Sequence, residues 1–127
     1  MKKKWWLAVG LFLLGALALA MLSFRPNPVT GPELQQLLAD GARLVDVRSP
    51  EEFRGGAVPG AVNIPISAVV DGIRSENLPK NAVILLYCAS GVRSARAESL
   101  LKGAGYKNAR NIGGLSSLPE IVGVKTQ

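Results

Sequence analysis

A short apolar, strand-forming run at residues 83–87 ends at Cys88, the only cysteine of the chain. Small residues and a glycine follow the sulfur, and a helix-compatible segment begins a few positions later, near Arg93. A buried strand that turns directly into a helix is the repeating unit of parallel α/β folds. The same layout points backbone N–H groups and the positive end of a helix dipole at the sulfur.

The alternation of strand and helix signals continues along residues 30–118. Thr30 with Glu33 and Ser49 with Glu52 form two capping boxes, each with a proline that fits the first helical turn. Ser67 is expected to cap a further helix. The predicted helices cover residues 32–39, one turn to 53, 67–74 and about 92–102, and the predicted strands cover 43–47, a short stretch within 58–65, 83–87 and 108–112. The pattern predicts an α/β fold with a mainly parallel central sheet flanked by helices.

The first 24 residues predict a leader rather than part of the fold. Lys2, Lys3 and Lys4 precede an apolar run of 18 residues at 5–22. Secretory cores span roughly 7–15 residues and membrane helices about 20, so both a signal peptide and a signal anchor fit. The length favours an uncleaved apolar anchor helix at residues 5–22, although Ala18 to Ala20 is a plausible cleavage site. Residues 25–29 would be a linker and 30–127 a single domain, exported to the periplasm or the extracytoplasmic face of the plasma membrane.

Composition excludes several classes of function. The chain has no histidine, which excludes a Cys–His protease, a His-assisted hydrolase and a His-containing zinc site. The charge of +6 comes from 15 basic and 9 acidic residues, and without the three leader lysines it is 12 − 9 = +3. No basic run with interleaved aromatics remains, so no nucleic-acid partner is expected. A lone cysteine cannot form an internal disulfide, so Cys88 is either buried and inert or a free reactive thiol.

The loop after Cys88 has the composition of an anion-binding nest. Its small residues and Gly91 allow consecutive amides to converge, and these amides would stabilise a thiolate or an anion attached to it. Arg93 can add charge-assisted hydrogen bonds to an anionic substrate. Four residues separate Cys88 from Arg93. Cysteine phosphatases have five, so the smaller loop favours sulfur transfer over phosphate-ester hydrolysis.

Three segments in order resemble the rhodanese (thiosulfate sulfurtransferase-like) family over about residues 30–118. The pattern Cys-x-x-Gly-x-Arg-Ser is matched by Cys88, Gly91, Arg93 and Ser94. The other segments are residues 44–48 with 52–53 and 60–65, and residues 111–115. The short length and the leader are similar to small periplasmic rhodaneses of the phage-shock type.

The resemblance implies that Cys88 takes sulfur from thiosulfate or a similar anionic donor and passes it to cyanide or a thiol through a persulfide. It implies no metal and no organic cofactor. Asp46 is expected in an ion pair that shapes the end of its strand, and Arg48 is expected either to reach the anion pocket or to pair with Glu51 or Glu52. The candidate substrate-binding residues are Ala89, Ser90, Gly91, Val92, Arg93, Ser94 and Arg48, with Asp46 as loop support and the N-terminal segment as membrane contact.

Two alternatives remain open at this point. A rhodanese-fold module without catalytic activity could bind a partner at the membrane, and a cysteine phosphatase or arsenate reductase would use a similar loop. The chain also departs from the family at Ala57, where relatives often have histidine. That histidine is not the nucleophile, so its absence does not remove the catalytic group. The expected effect of the difference is on the packing of the second segment or on substrate entry.

Overall fold

The computed structural model describes residues 4–6, 8–11, 13 and 29–118. No helix within these residues is long and apolar enough to cross a membrane. The predicted leader, residues 1–24, and the linker, residues 25–29, lie mostly outside the described residues and stay predictions.

Four parallel strands form one sheet in the order β2-β1-β3-β4. The strands are β1 (Arg43–Asp46), β2 (Val62–Asn63), β3 (Ile84–Cys88) and β4 (Ala109–Gly114). The helices are α1 (Gly31–Ala39), α2 (Pro50–Arg54), α3 (Val69–Ser75) and α4 (Val92–Gly103), with 3₁₀ turns at Ile66–Ala68 and Leu115–Ser117. The α/β class and the parallel sheet predicted from the sequence are confirmed.

Helix starts follow the local sequence in two of three predicted cases. Thr30 and Ser49 are the N-caps of α1 and α2, each with a reciprocal capping box to Glu33 or Glu52. The prediction that Ser67 caps a helix is wrong. Ser67 lies inside the 3₁₀ turn Ile66–Ala68, and α3 begins at Val69 without a side-chain cap. The chain winds into that turn directly after Pro65, so Ser67 never takes the extended conformation that an N-cap requires.

Strand β3 is buried along its whole length and separates two apolar cores. Because side chains alternate along a strand, Ile84, Leu86 and Cys88 face one core while Leu85 and Tyr87 face the other. The first core also contains buried side chains of α3 and α4, and the second contains Leu34 of α1. Cys88 therefore lies on the side of the sheet covered by α4.

The end of β4 is irregular beside the end of β3. Leu86 pairs with Asn111, but Tyr87 pairs with Gly113, so Ile112 is an extra residue in β4. The shift places Gly114 opposite Cys88. Bulges of this kind are common next to active sites because they redirect the chain. Here the bulge brings two glycines against the loop that follows Cys88.

Candidate active site

Cys88 is the last residue of β3, at the carboxyl edge of the parallel sheet, where ligands bind in folds of this kind. Its side chain is fully buried. The sulfur accepts a hydrogen bond from the Gly91 N–H at 3.0 Å and lies 3.4 Å from the Ser94 hydroxyl. The loop therefore folds back onto the sulfur, as a nest for a thiolate requires.

Gly91 makes this turn possible. It is the N-cap of α4 with φ of 93°, a left-handed conformation that glycine adopts without steric cost. A Cβ at this position would also lie 3.4 Å from the Gly113 backbone. Gly91 thus aims its amide at the sulfur and starts the helix whose positive end lies nearby.

The surroundings of Cys88 lower the pKa of its thiol. Burial acts in the opposite direction and raises it. Hydrogen bonds from the Ser94 hydroxyl and from the amides of Ser94, Gly91 and Ser90 favour the thiolate, and together they outweigh burial. The thiolate fraction near neutral pH is therefore larger than that of an ordinary cysteine, since a lower pKa moves deprotonation to lower pH.

Ser94 is buried in the first turn of α4 and does not cap it, because the N-cap is Gly91. Its hydroxyl lies 2.7 Å from Asn111 Oδ1, 3.4 Å from the Gly113 carbonyl and 3.4 Å from Cys88 Sγ. A hydroxyl has a single proton to donate. Ser94 can therefore donate to Asn111 while the sulfur is neutral and turn towards the sulfur when it carries charge.

Asn111 joins the bulge of β4 to the cysteine loop. It lies in the family segment 111–115, but no role in the site is predicted for it from the sequence. Its Oδ1 accepts from the Gly113 N–H at 2.9 Å, and its Nδ2 donates to the Gly91 carbonyl at 3.3 Å. Its own amide is bound by Glu98 of α4. The signal that could have found it is a polar residue two positions before the paired glycines Gly113 and Gly114 of a strand.

Arg93 is held by Glu52, which the sequence indicates as a helix-capping residue and as a possible partner of Arg48. Its Nη1 donates to Glu52 Oε1 at 2.7 Å and its Nη2 to Oε2 at 3.0 Å. This two-point pair raises the pKa of Arg93, and it is the first cause that lowers the pKa of Glu52 to about 2. The charge of Cys88 also raises the pKa of Arg93.

The remaining loop residues form the exposed rim of the site. Ala89 and Ser90 are exposed, and the Val92 side chain is 74% exposed. The structure thus directs the amides of Ser90, Gly91 and Ser94 and the Ser94 hydroxyl at one sulfur, while Ala89, Ser90 and Val92 are exposed. Their roles as substrate ligands stay predictions.

Asp46 and Arg48 form a buried ion pair at the end of β1. Arg48 Nη2 lies 2.7 Å from Asp46 Oδ2, and its Nε lies 3.0 Å from both carboxylate oxygens. The ion pair predicted for Asp46 is present, and its partner is Arg48, whereas the pairing of Arg48 with Glu51 or Glu52, one of the two alternatives, is not formed. Arg48 lies two residues past the end of β1, and its own N–H donates to Asp46 Oδ1 at 2.9 Å, which keeps its side chain beside that carboxylate.

Arg48 also fixes the segment that follows α2. Its Nη2 donates to the Gly56 carbonyl at 2.7 Å, next to Ala57, where the sequence departs from the family pattern. The side chain is buried and bound on Asp46 and Gly56, so these contacts give it a structural task. Its predicted contact with a bound anion stays a prediction.

The structure thus defines a parallel α/β protein with a cysteine loop at the carboxyl edge of the sheet that stabilises a thiolate. The model of the rhodanese-like domain matches residues 30–118, and the chain belongs to that family.

Two relatives and one solved structure, all named as sulfurtransferases, support this assignment. The chain is 38% identical to human thiosulfate:glutathione sulfurtransferase over 99 residues, covering 68% of this chain and 86% of that protein. It is 36% identical to thiosulfate sulfurtransferase PspE of Escherichia coli over 81 residues, covering 62% and 78%. The structure of the human single-domain sulfurtransferase TSTD1 superimposes with a TM-score of 0.60 at 35% identity, covering 71% of this chain and 91% of that chain.

Proposed function

We propose that the chain is a sulfurtransferase in which Cys88 carries sulfane sulfur from thiosulfate, or a similar anionic donor, to a thiophilic acceptor. The observation that carries the proposal is the Cys88 sulfur held 3.0 Å from the Gly91 amide in a loop that reaches Arg93 after four residues. Relatives named as thiosulfate sulfurtransferases at 36–38% identity support it. In this assignment Cys88 is catalytic and the loop to Ser94 binds the anion.

In the first step the Cys88 thiolate attacks the outer sulfur of thiosulfate. A bond forms between Sγ and that sulfur while the sulfur–sulfur bond of thiosulfate breaks. The bonding electron pair leaves with sulfite, a dianion, and the anionic persulfide of Cys88 remains. No proton moves, so the step needs no general base once the loop holds a thiolate, consistent with a chain that lacks histidine.

In the second step an acceptor thiolate or cyanide attacks the outer sulfur of the persulfide. The bond between the two sulfurs breaks, and its electron pair returns to Cys88 as the thiolate. The Gly91 amide at 3.0 Å and the Ser94 hydroxyl at 3.4 Å then face the developing negative charge. Donors placed beforehand at the atom where charge develops lower the barrier of such a step.

Incubation of the protein with thiosulfate is expected to add one sulfur atom to the intact mass, because the loop favours the thiolate that attacks the donor. Addition of cyanide or a small thiol should remove that sulfur. Cys88→Ala is the control and should gain nothing. A wild-type protein whose mass stays unchanged under thiosulfate would contradict the proposal. Cys88-dependent hydrolysis of an aryl phosphate would instead favour the phosphatase alternative.

Export of the domain by residues 1–24, with residues 5–22 kept as a membrane anchor, is the second part of the proposal. The supporting features are the three lysines before an apolar run of 18 residues, with one nearby Arg25 after it, a charge bias that keeps the N-terminus in the cytoplasm. We expect the protein purified from native membranes to retain Lys2–Lys4 by mass spectrometry. An N-terminus near Met21 would show cleavage and overturn the anchor.

A further inference from the structure

The guanidinium of Arg93 is held by Glu52, which binds both terminal nitrogens, at 2.7 and 3.0 Å, across 41 residues of sequence. Arg93 lies two residues after Gly91, whose N–H donates to the Cys88 sulfur at 3.0 Å, so it belongs to the loop that surrounds the sulfur. The charge of Cys88 also raises the pKa of Arg93. The Glu52 pair occupies only Nη1 and Nη2. Because an arginine presents five N–H donors, hydrogens remain for a ligand bound beside the sulfur.

Glu52 is itself fixed in place by the start of α2. Its Oε1 accepts from the Ser49 amide at 3.3 Å and from the Ser49 hydroxyl at 3.2 Å, which completes the capping box. Ser49 directly follows Arg48, whose side chain is locked on Asp46 and on the Gly56 carbonyl after α2. The carboxylate therefore does not follow a moving arginine. It determines where the end of Arg93 lies.

Arg93 needs such a partner, because it is at the second position of α4 with its side chain 37% exposed. A free arginine has about 2 kcal/mol of rotamer entropy, part of which is lost when it binds a ligand. A side chain already ordered in its binding position avoids that loss.

We propose that Glu52 is a positioning residue, which holds Arg93 by its terminal nitrogens so that the guanidinium stays beside Cys88 and selects anionic reactants. The proposal deepens the proposed function by assigning the donor selectivity of the same site. Glu52 acts through Arg93 and touches neither the sulfur nor the donor. In the alternative role, the Glu52 carboxylate would compete with the anionic donor for Arg93 and would have to be displaced. The hydrogen bonds from Ser49 that anchor Glu52 favour the positioning role.

The test compares alkylation of Cys88 in the full chain by iodoacetate and by iodoacetamide, which react through the same carbon and differ by one negative charge. Cys88 is the only cysteine, so both rates report on one atom. In Glu52→Gln, we expect the ratio of the iodoacetate to the iodoacetamide rate to fall about threefold to fivefold, the range of an exposed ion pair. The iodoacetamide rate should stay within about twofold, because glutamine also completes a capping box.

Arg93→Ala sets the lower limit of the ratio, and Glu52→Gln added to it should change the ratio no further. Glu33→Gln is the matched control. Glu33 is the capping-box residue of α1 and pairs with Arg110 at 2.6 Å, the same arrangement with an arginine of β4 instead of the arginine that follows the cysteine loop. This control should leave the ratio unchanged.

An unchanged ratio in Glu52→Gln would overturn the proposal, as would an equal fall in both rates. A higher ratio would also overturn it and would make Glu52 a competitor of the anion. If thiosulfate transfers sulfur, Glu52→Gln should in addition raise KM for thiosulfate about threefold to fivefold with kcat little changed. The alkylation ratio needs no sulfur transfer, so it tests Glu52 even if the proposed function fails.

Discussion

Replacement of Gly114 by alanine is expected to slow the reactions of Cys88, both alkylation and persulfide formation, by about 100-fold, the cost of a displacement near 1 Å in a reacting site. A Cβ on Gly114 would collide with the Ala89 carbonyl oxygen and lie 2.8 Å from Ser90 Cα. Both neighbours are backbone atoms of the cysteine loop, so no side-chain rotation relieves the contact. The loop must move away from β4, and the Gly91 amide moves off the sulfur with it.

The stability of Gly114→Ala should fall by about 1–3 kcal/mol, as is usual for overpacking, which leaves the protein folded for the rate measurement. Gly103→Ala is the control, because a Cβ at the end of α4 meets nothing within 4 Å. It should leave the rates unchanged. Stopped-flow alkylation and intact mass after thiosulfate measure the reactions, and urea unfolding measures stability. Wild-type rates in Gly114→Ala would show that the loop does not depend on close contact with β4.

The parts of the fold that the sequence predicted depend on contacts within four or five residues. The capping boxes of Thr30 and Ser49 and the apolar run into Cys88 are of this kind. The error at Ser67 has the same origin. A serine near a helix start is compatible with a cap, but the 3₁₀ turn after Pro65 determines the backbone conformation there.

The parts of the site that escaped prediction depend on contacts between distant segments. Glu52 had a complete local explanation in its capping box, which concealed its pairing with Arg93. Asn111 and Gly114 act through the register shift of β4, and a bulge has no reliable signature in one sequence. The site around Cys88 could be located from the local pattern alone, whereas the residues that hold its surroundings required the sheet.

Removal of the Asp46 carboxylate should have the largest effect on stability. We expect Asp46→Ala to lower the free energy of unfolding by about 3–5 kcal/mol, because it leaves the buried Arg48 guanidinium without a counter-charge. The carboxylate is fully buried and accepts hydrogen bonds from the Arg48 amide at 2.9 Å and from its side chain at 2.7 to 3.0 Å. Urea unfolding of the full chain measures the loss. Glu51→Ala, which removes the exposed partner of Arg54, is the control and should change stability by less than about 0.5 kcal/mol.

The double variant Asp46→Leu with Arg48→Met distinguishes the cost of an unpaired buried charge from the separate contributions of the two side chains. If the loss in Asp46→Ala comes from an uncompensated buried charge, the double variant should lose less than Asp46→Ala or Arg48→Met alone, because two apolar side chains remove both charges together. A loss equal to the sum of the two single variants would instead mean that each side chain acts separately. The double variant also lacks the Arg48 hydrogen bond to the Gly56 carbonyl, which helps to hold α2 and therefore Glu52. The double variant could recover the free energy of unfolding and still show a lower ratio of the iodoacetate to the iodoacetamide rate. That result would mean that the ion pair contributes to function by positioning Glu52 rather than by stabilising the fold.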